Sequence, residues 1–284
     1  LLVPFSYYFN KLFVDKNKIL WIGSSAGLTS YSHKDGRFRT YTAANGLSGN
    51  RVSCIKEDMR GNLWVSYMGG YVDLFSNNKF TAFNETFGIK KGVNAIVENH
   101  RGNLFFATRE NGIYEYREGS FSKHDISGLD RLQIYAMVEG EKGTLWIGTS
   151  DGLFKVDNEN TVRYTTREGL PDNKIITIIK DSKQKLWAGT LEGGLARIKK
   201  TGKGEIIFEK VPGTGSFRIL FLFEDEEKSL WISTLDSGIK RLKDGKFTTY
   251  APLELYHKDI FLSLFRDCSG HTWAGTYTGK LFHC

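Results

Sequence analysis

Nine side chains in this chain are suited to gripping a polar ligand: Tyr8, Arg51, Tyr67, Arg109, Glu110, Lys174, Arg218, His257 and Tyr277. Sugar faces stack on tyrosine rings, hydroxyls bond to Glu and Lys, and a carboxylate takes two bonds from one guanidinium. Met68, Tyr71, Gln133, Asp151, Glu192, Asp236 and Tyr256 extend the same chemistry. Hydrolysis would need a carboxylate pair at a defined separation. Glu110 with Asp151, or Glu192 with Asp236, could be such a pair, but no motif selects either. The six histidines (His33, His100, His124, His257, His271 and His283) show no metal-ligand spacing. Cys54, Cys268 and Cys284 form neither a disulfide framework nor a metal motif. The expectation is a binding module that is not an enzyme and has no cofactor or metal. A protein–protein scaffold and a lyase or glycosidase are the alternatives.

The elements that must position these residues announce themselves as a repeat. Leu20-Trp21-Ile22-Gly23-Ser24 returns as Leu63-Trp64-Val65-Ser66, Leu104-Phe105-Phe106-Ala107-Thr108 and Leu145-Trp146-Ile147-Gly148-Thr149. It returns again as Leu186-Trp187-Ala188-Gly189-Thr190, Leu230-Trp231-Ile232-Ser233-Thr234 and Thr272-Trp273-Ala274-Gly275-Thr276. The steps between aromatics are 43, 41, 41, 41, 44 and 42 residues, and all six tryptophans occupy this position. Such a period built of short β-rich runs marks a β-propeller with one four-stranded blade per repeat. In the second repeat the strands read 51–55, 62–66, 71–75 and 79–83, with Gly and Asn in the connections. No stretch holds a 3.6-residue apolar period, so helix should be almost absent.

The expected fold is therefore all-β: one seven-bladed β-propeller over 1–284, with four-stranded antiparallel blades anchored at Trp21, Trp64, Phe105, Trp146, Trp187, Trp231 and Trp273. The aromatics should be core, each burying roughly 150–250 Å². The small residue two places later should let neighbouring sheets approach. The last repeat stops at its third strand, near Leu281-Phe282-His283-Cys284, so the last blade lacks one strand and the chain is expected to be a piece of a longer polypeptide.

Propeller geometry then places the candidate residues. The second-to-third and fourth-to-first strand loops share one face. Tyr67, Arg109, Glu110 and Tyr277 fall in the former. Tyr8, Arg51, Lys174 and Arg218 start first strands, and His257 lies in the loop before one.

A formal net charge of +7 raises the question of nucleic acid, but the basic residues are spread over every repeat with no dense stripe, so no nucleic-acid partner is expected. No apolar run of 18 residues and no secretion signal is visible.

The full repeat is more specific than its aromatic phrase. Glu168-Gly169-Leu170-Pro171-Asp172-Asn173-Lys174-Ile175, Asp181 and Leu186-Trp187-Ala188-Gly189-Thr190 match Gly46-Leu47-Ser48-Gly49-Asn50-Arg51-Val52, Asp58 and Gly61-Asn62-Leu63-Trp64. This pattern resembles the two-component regulator propeller repeat, in seven copies covering the whole chain. The third copy departs from it at Phe105-Phe106, and the sixth and seventh lack the Gly-Leu-x-x-Asn entry. The resemblance implies a periplasmic sensor region of a bacterial receptor, with an oligosaccharide as a ligand. It implies as partners a further propeller, a β-sandwich and a membrane-linked histidine kinase or cyclase, and it allows a homodimer. No kinase motif is present in these residues.

Overall fold

The computed structural model describes residues 9–32, 34–83, 88–89, 92–157, 160–251, 259–266, 272–278 and 280–283. Short β-rich runs separated by Gly- and Asn-containing turns fold here as consecutive antiparallel hairpins. The first sheet is β1 (Phe9–Val14), β2 (Ile19–Ser24), β3 (Gly27–Ser32) and β4 (Arg37–Tyr41). The second is β5 (Val52–Glu57), β6 (Leu63–Tyr67), β7 (Val72–Ser76) and β8 (Lys79–Phe83), and the third β9 (Val93–Glu98), β10 (Leu104–Thr108), β11 (Ile113–Arg117) and β12 (Ser120–His124). The fourth comprises β13 (Ile134–Glu139), β14 (Leu145–Thr149), β15 (Gly152–Val156) and β16 (Thr161–Tyr164). The fifth comprises β17 (Ile175–Lys180), β18 (Leu186–Thr190), β19 (Leu195–Lys200) and β20 (Ile206–Lys210). The sixth is β21 (Ile219–Glu224), β22 (Leu230–Thr234), β23 (Ile239–Lys243) and β24 (Lys246–Ala251).

The architecture is an all-β propeller of four-stranded antiparallel blades, and among the described residues the blades number six, against an expected seven of which the last lacks one strand. The seventh repeat makes a three-stranded sheet, β25 (Phe261–Arg266), β26 (Thr272–Thr276) and β27 (Leu281–His283). Its outer ladder runs from Trp273↔His283 to Gly275↔Leu281. Among the described residues no strand adds to the far side of β27, so this sheet is short of a full blade. The only helical pieces described are 3-10 turns at Ala43–Asn45, Glu141–Gly143 and Thr166–Glu168.

The strands cluster into two compact units. One comprises Leu1–Asp125, Leu129–Arg131 and Phe265–Cys284, the other Ile126–Gly128 and Leu132–Leu264. In the first, Trp21 packs with Leu28, Leu47, Val52 and Leu63, while Trp64 packs with Val72, Phe83 and Phe106. Leu20, Ile22 and Trp273 form a further cluster joining β2 to β26. In the second, Trp146, Leu153, Ile175 and Ile178 form one core and Leu195, Ile219, Leu222 and Ile232 another.

The small residue after each aromatic is explained by what the next sheet puts against it. A β-carbon on Gly23 would lie 2.6 Å from Val52 Cγ1, and one on Gly189 2.6 Å from Ile219 Cγ2. Where serine replaces glycine, its hydroxyl finds the neighbouring backbone instead. Ser66 Oγ donates to Val93 O at 3.3 Å, and Ser233 Oγ donates to Phe261 O.

A second repeated device holds the aromatics. Aspartates before the second strand accept the indole N–H: Asp15 from Trp21 at 2.8 Å, Asp58 from Trp64 at 3.0 Å, Asp181 from Trp187 at 2.9 Å and Asp225 from Trp231 at 2.8 Å. The other carboxylate oxygen closes the turn. Asp58 Oδ1 accepts from the backbone of Arg60 at 3.0 Å and of Asn62 at 2.8 Å. The acidic turn of the repeat is therefore structural.

Candidate functional site

The first strands of successive sheets lie side by side within each unit: β1, β5 and β9 in the first, β13, β17 and β21 in the second. The residue just before each strand pair begins is fixed in the same way from blade to blade. Its carbonyl accepts the N–H that follows the second strand: Arg51 O from Met68 at 2.9 Å, Gly92 O from Arg109 at 2.8 Å, and Gln133 O from Ser150 at 2.9 Å. The series continues with Lys174 O from Leu191 at 3.1 Å and Arg218 O from Leu235 at 2.8 Å. A register shift follows almost at once, at Val52/Cys54, Ile134/Ala136, Ile175/Thr177 and Ile219/Phe221. Such bulges add local twist and re-aim a side chain.

In the second unit this geometry puts Gln133, Lys174 and Arg218 at one register position in three successive blades, all half-buried. Tyr135 Oη donates to Gln133 Oε1 at 2.8 Å, orienting the amide. Asp172 orders the neighbouring loops, accepting from the backbone N–H of Lys174 at 3.2 Å and of Glu192 at 3.0 Å. The ammonium of Lys174 and the guanidinium of Arg218 make no ion pair with the described residues. Two uncommitted cations beside an oriented amide suit hydroxyls and a carboxylate.

The second-to-third loops hang from a threonine with a buried hydroxyl. Thr108 Oγ1 donates to Gly112 O at 2.7 Å, and Thr149, Thr190 and Thr234 make the same bond to Gly152, Gly194 and Gly238 at 2.8 Å. Tyr67 stands in this slot in the second sheet and is 1% exposed. It donates to Asp73 Oδ2 at 2.6 Å, and burial, followed by the Asp73 charge, pushes its phenol well above the usual tyrosine range. Ser48 supplies Asp73 with its N–H at 2.8 Å and also its hydroxyl. Tyr67 therefore cannot present a ring to a ligand, because its hydroxyl satisfies a buried carboxylate. The sequence signal was Asp73 itself, a carboxylate where the equivalent strands carry Thr29, Tyr114, Phe154, Ala196 and Lys240.

The remaining candidates are dispersed. Arg51, Arg109 and Glu110 are exposed in the first unit, with Gly92 at the position that Arg51 holds one blade earlier. Tyr277 is exposed in the turn after β26. Asp151 is committed to Arg163, whose guanidinium it binds and whose Nε donates to its carbonyl at 2.8 Å. Tyr8 and His257 lie outside the described residues, as does Tyr256. Among the described residues no group of His, Cys, Asp and Glu could hold a metal ion, and no helix is long and apolar enough to cross a membrane.

Comparison with known proteins bears on this arrangement. The family model "two component regulator propeller" matches residues 46–69, 128–151 and 169–192, and so includes Arg51, Tyr67, Gln133 and Lys174. No curated protein matches by sequence. Among solved structures, a virginiamycin B lyase from Staphylococcus aureus is 16% identical with a TM-score of 0.78, covering 99% of this chain and 95% of its own. The extracellular domain of the hybrid two component system BT4673 from B. thetaiotaomicron is 20% identical with a TM-score of 0.55. That match covers 96% of this chain but 45% of the domain, so this chain spans under half its length. The corresponding domain of BT3049 is 19% identical with a TM-score of 0.51, at 97% and 51% coverage. At these identities the likenesses establish the propeller fold, which supports many functions.

Proposed function

Starting from a chain that carries two component regulator propeller repeats, we propose that it is an extracytoplasmic sensing propeller of a bacterial signalling receptor, and that it binds an acidic oligosaccharide. The row Gln133, Lys174 and Arg218 is the observation that carries this reading. The same hydrogen bond within each blade holds the backbone of all three, so the row is pre-organised rather than assembled by a mobile loop. The Arg218 guanidinium meets a uronate carboxylate, and Lys174 and Gln133 take hydroxyls. The likeness of fold to extracellular domains of hybrid two component systems supports the sensor role. On this reading a membrane-linked kinase or cyclase, further propeller and β-sandwich modules, and a second receptor copy complete the machine. Signalling then requires the ligand to favour one arrangement of those parts over another.

Thermal unfolding against a panel of neutral and acidic oligosaccharides tests the reading. An acidic oligosaccharide at about 100 times its dissociation constant should stabilise the chain by about 2.7 kcal/mol. Arg218→Ala and Lys174→Ala should each abolish most of the shift without lowering the unliganded melting temperature. An unchanged melting temperature across the panel overturns the site. Recovery of cleaved sugar or eliminated product would replace the sensor with a lyase or glycosidase. Thr149, Thr190 and Thr234, buried beneath these loops, serve as control positions that should alter stability rather than selectivity.

A further inference from the structure

The junction of the β13–β16 sheet with the β17–β20 sheet departs twice from the chemistry of the repeat. Where Asp15, Asp58, Asp181 and Asp225 hold an indole N–H, this junction has Gly140 before Trp146. At three other junctions a glutamate ending a first strand (β5, β9 or β21) accepts an N–H from the turn of the preceding blade, whereas β25 ends on Arg266. Lys16 N bonds to Glu57 Oε2 at 2.9 Å, Met59 N to Glu98 Oε2 at 2.7 Å, and Ser182 N to Glu224 Oε2 at 2.6 Å. Here Lys180 stands in the place of that glutamate. Two acidic positions are lost at one point, and one of them has become a cation.

A cavity of about 590 Å³ opens there, lined by six lysines against two carboxylates, Glu141 and Asp157. Lys155 pairs with Asp157 at 3.7 Å and Lys199 with Glu209 at 2.9 Å. Lys142, Lys180, Lys185 and Lys200 make no ion pair with the described residues. Trp146 lines the same cavity, and its indole N–H has no acceptor among the described residues. Trp146 is 3% exposed and lines the cavity together with Gly140, so this donor is buried at the cavity wall. A β-carbon on Gly140 would lie 2.7 Å from Trp146 Nε1, so only glycine leaves that donor uncovered.

We propose that this cavity is a second binding site, selective for the oxyanion of a small acidic ligand: a carboxylate, sulfate or phosphate group. The indole N–H gives one fixed donor, and the lysines give mobile charge around it. The volume lies within the range of small-ligand pockets, roughly 300–1,000 Å³. The site is distinct from the Gln133 row, because Gln133 precedes β13 and Gly140 follows it, a separation of about 20 Å at the strand rise per residue.

Indole ¹⁵N–¹H spectra of the whole chain provide the test, with Trp146→Phe identifying the resonance. Inorganic phosphate, inorganic sulfate and digalacturonate are titrated separately at ionic strength matched with sodium chloride. At least one should move the Trp146 signal saturably, and the probe that does so names the source of the oxyanion. Lys180→Glu, which restores the glutamate that ends β5, β9 and β21, should weaken binding at least tenfold. Lys246→Glu, an exposed lysine of the same unit outside the cavity, should change it less than twofold. Lys142→Ala gives the same comparison should Lys180→Glu fail to fold. A still Trp146 signal with all three probes, or equal weakening by Lys180→Glu and Lys246→Glu, overturns the proposal. So does loss of the response in Arg218→Ala, which would assign the binding to the other row; an unchanged response there keeps the two sites separate.

Discussion

Tyr67 illustrates how one replacement in a repeated slot changes what a residue does. Thr108, Thr149, Thr190 and Thr234 use that slot to close a tight turn, whereas Tyr67 crosses it to reach Asp73, which is fully buried. Removing the hydroxyl in Tyr67→Phe takes one donor from a buried carboxylate and should cost about 1–3 kcal/mol at neutral pH. The pH dependence has a definite sign. The folded-state phenol titrates above its unfolded value of about 10, so its contribution is complete below pH 10 and lost as pH rises beyond it. The stability gap between wild type and Tyr67→Phe should therefore narrow above pH 10, as measured by urea unfolding across alkaline pH. A gap that widened there would contradict a neutral, hydrogen-bonded Tyr67. Phe105 shows the complementary economy: it follows Asn99, which still closes its turn through Arg101 and Asn103 but has no indole to hold.

At the scale of elements, the second strand of one sheet against the first strand of the next is the contact on which the fold depends. Gly189 sits there against Ile219 Cγ2 and Thr177 Cγ2, where an added β-carbon would lie at 2.6 and 2.7 Å. Gly189→Ala must push β18 away from β21, an overpacking that should cost about 1–3 kcal/mol. The measurement is the urea midpoint, with Gly202→Ala as a control because a β-carbon at Gly202 meets nothing within 4 Å. Equal effects from the two substitutions would refute the packing explanation. The same contact sets the site, since the bulge that starts each first strand also places Gln133, Lys174 and Arg218.

For the whole molecule the relevant quantity is charge. The net charge is +7 and basic residues stand in every repeat, so long-range attraction for an acidic ligand draws on the whole chain as well as on the lysines of the cavity. Association of an acidic oligosaccharide should slow markedly between roughly 0.01 and 0.15 M salt, where the screening length falls from about 30 to 8 Å. A neutral oligosaccharide of the same length should show no such change by stopped-flow fluorescence. Salt-independent association of the acidic ligand would place its recognition entirely in short-range contacts.

The fold class was legible in the sequence because a strand-turn unit that cannot cover its own faces must repeat its packing residues in phase, and Trp21 to Trp273 do so. The strand limits are nearly legible as well: the repeat starts this strand at Arg51, whereas β5 runs Val52–Glu57. Alternation marks which residues are buried but not where the ladder stops, which the Glu57↔Leu63 pairing decides. Arg51, Lys174 and Arg218 could be placed at first-strand starts from spacing alone. Their common backbone anchor, the commitment of Tyr67 and Asp151 to partners on other strands of their own sheets, and the gathering of Gly140 and Lys180, two positions without their acids, around one cavity came only from the tertiary structure. The count of complete blades likewise depended on pairing, because a repeat announces its strands but only a neighbouring edge makes them a sheet.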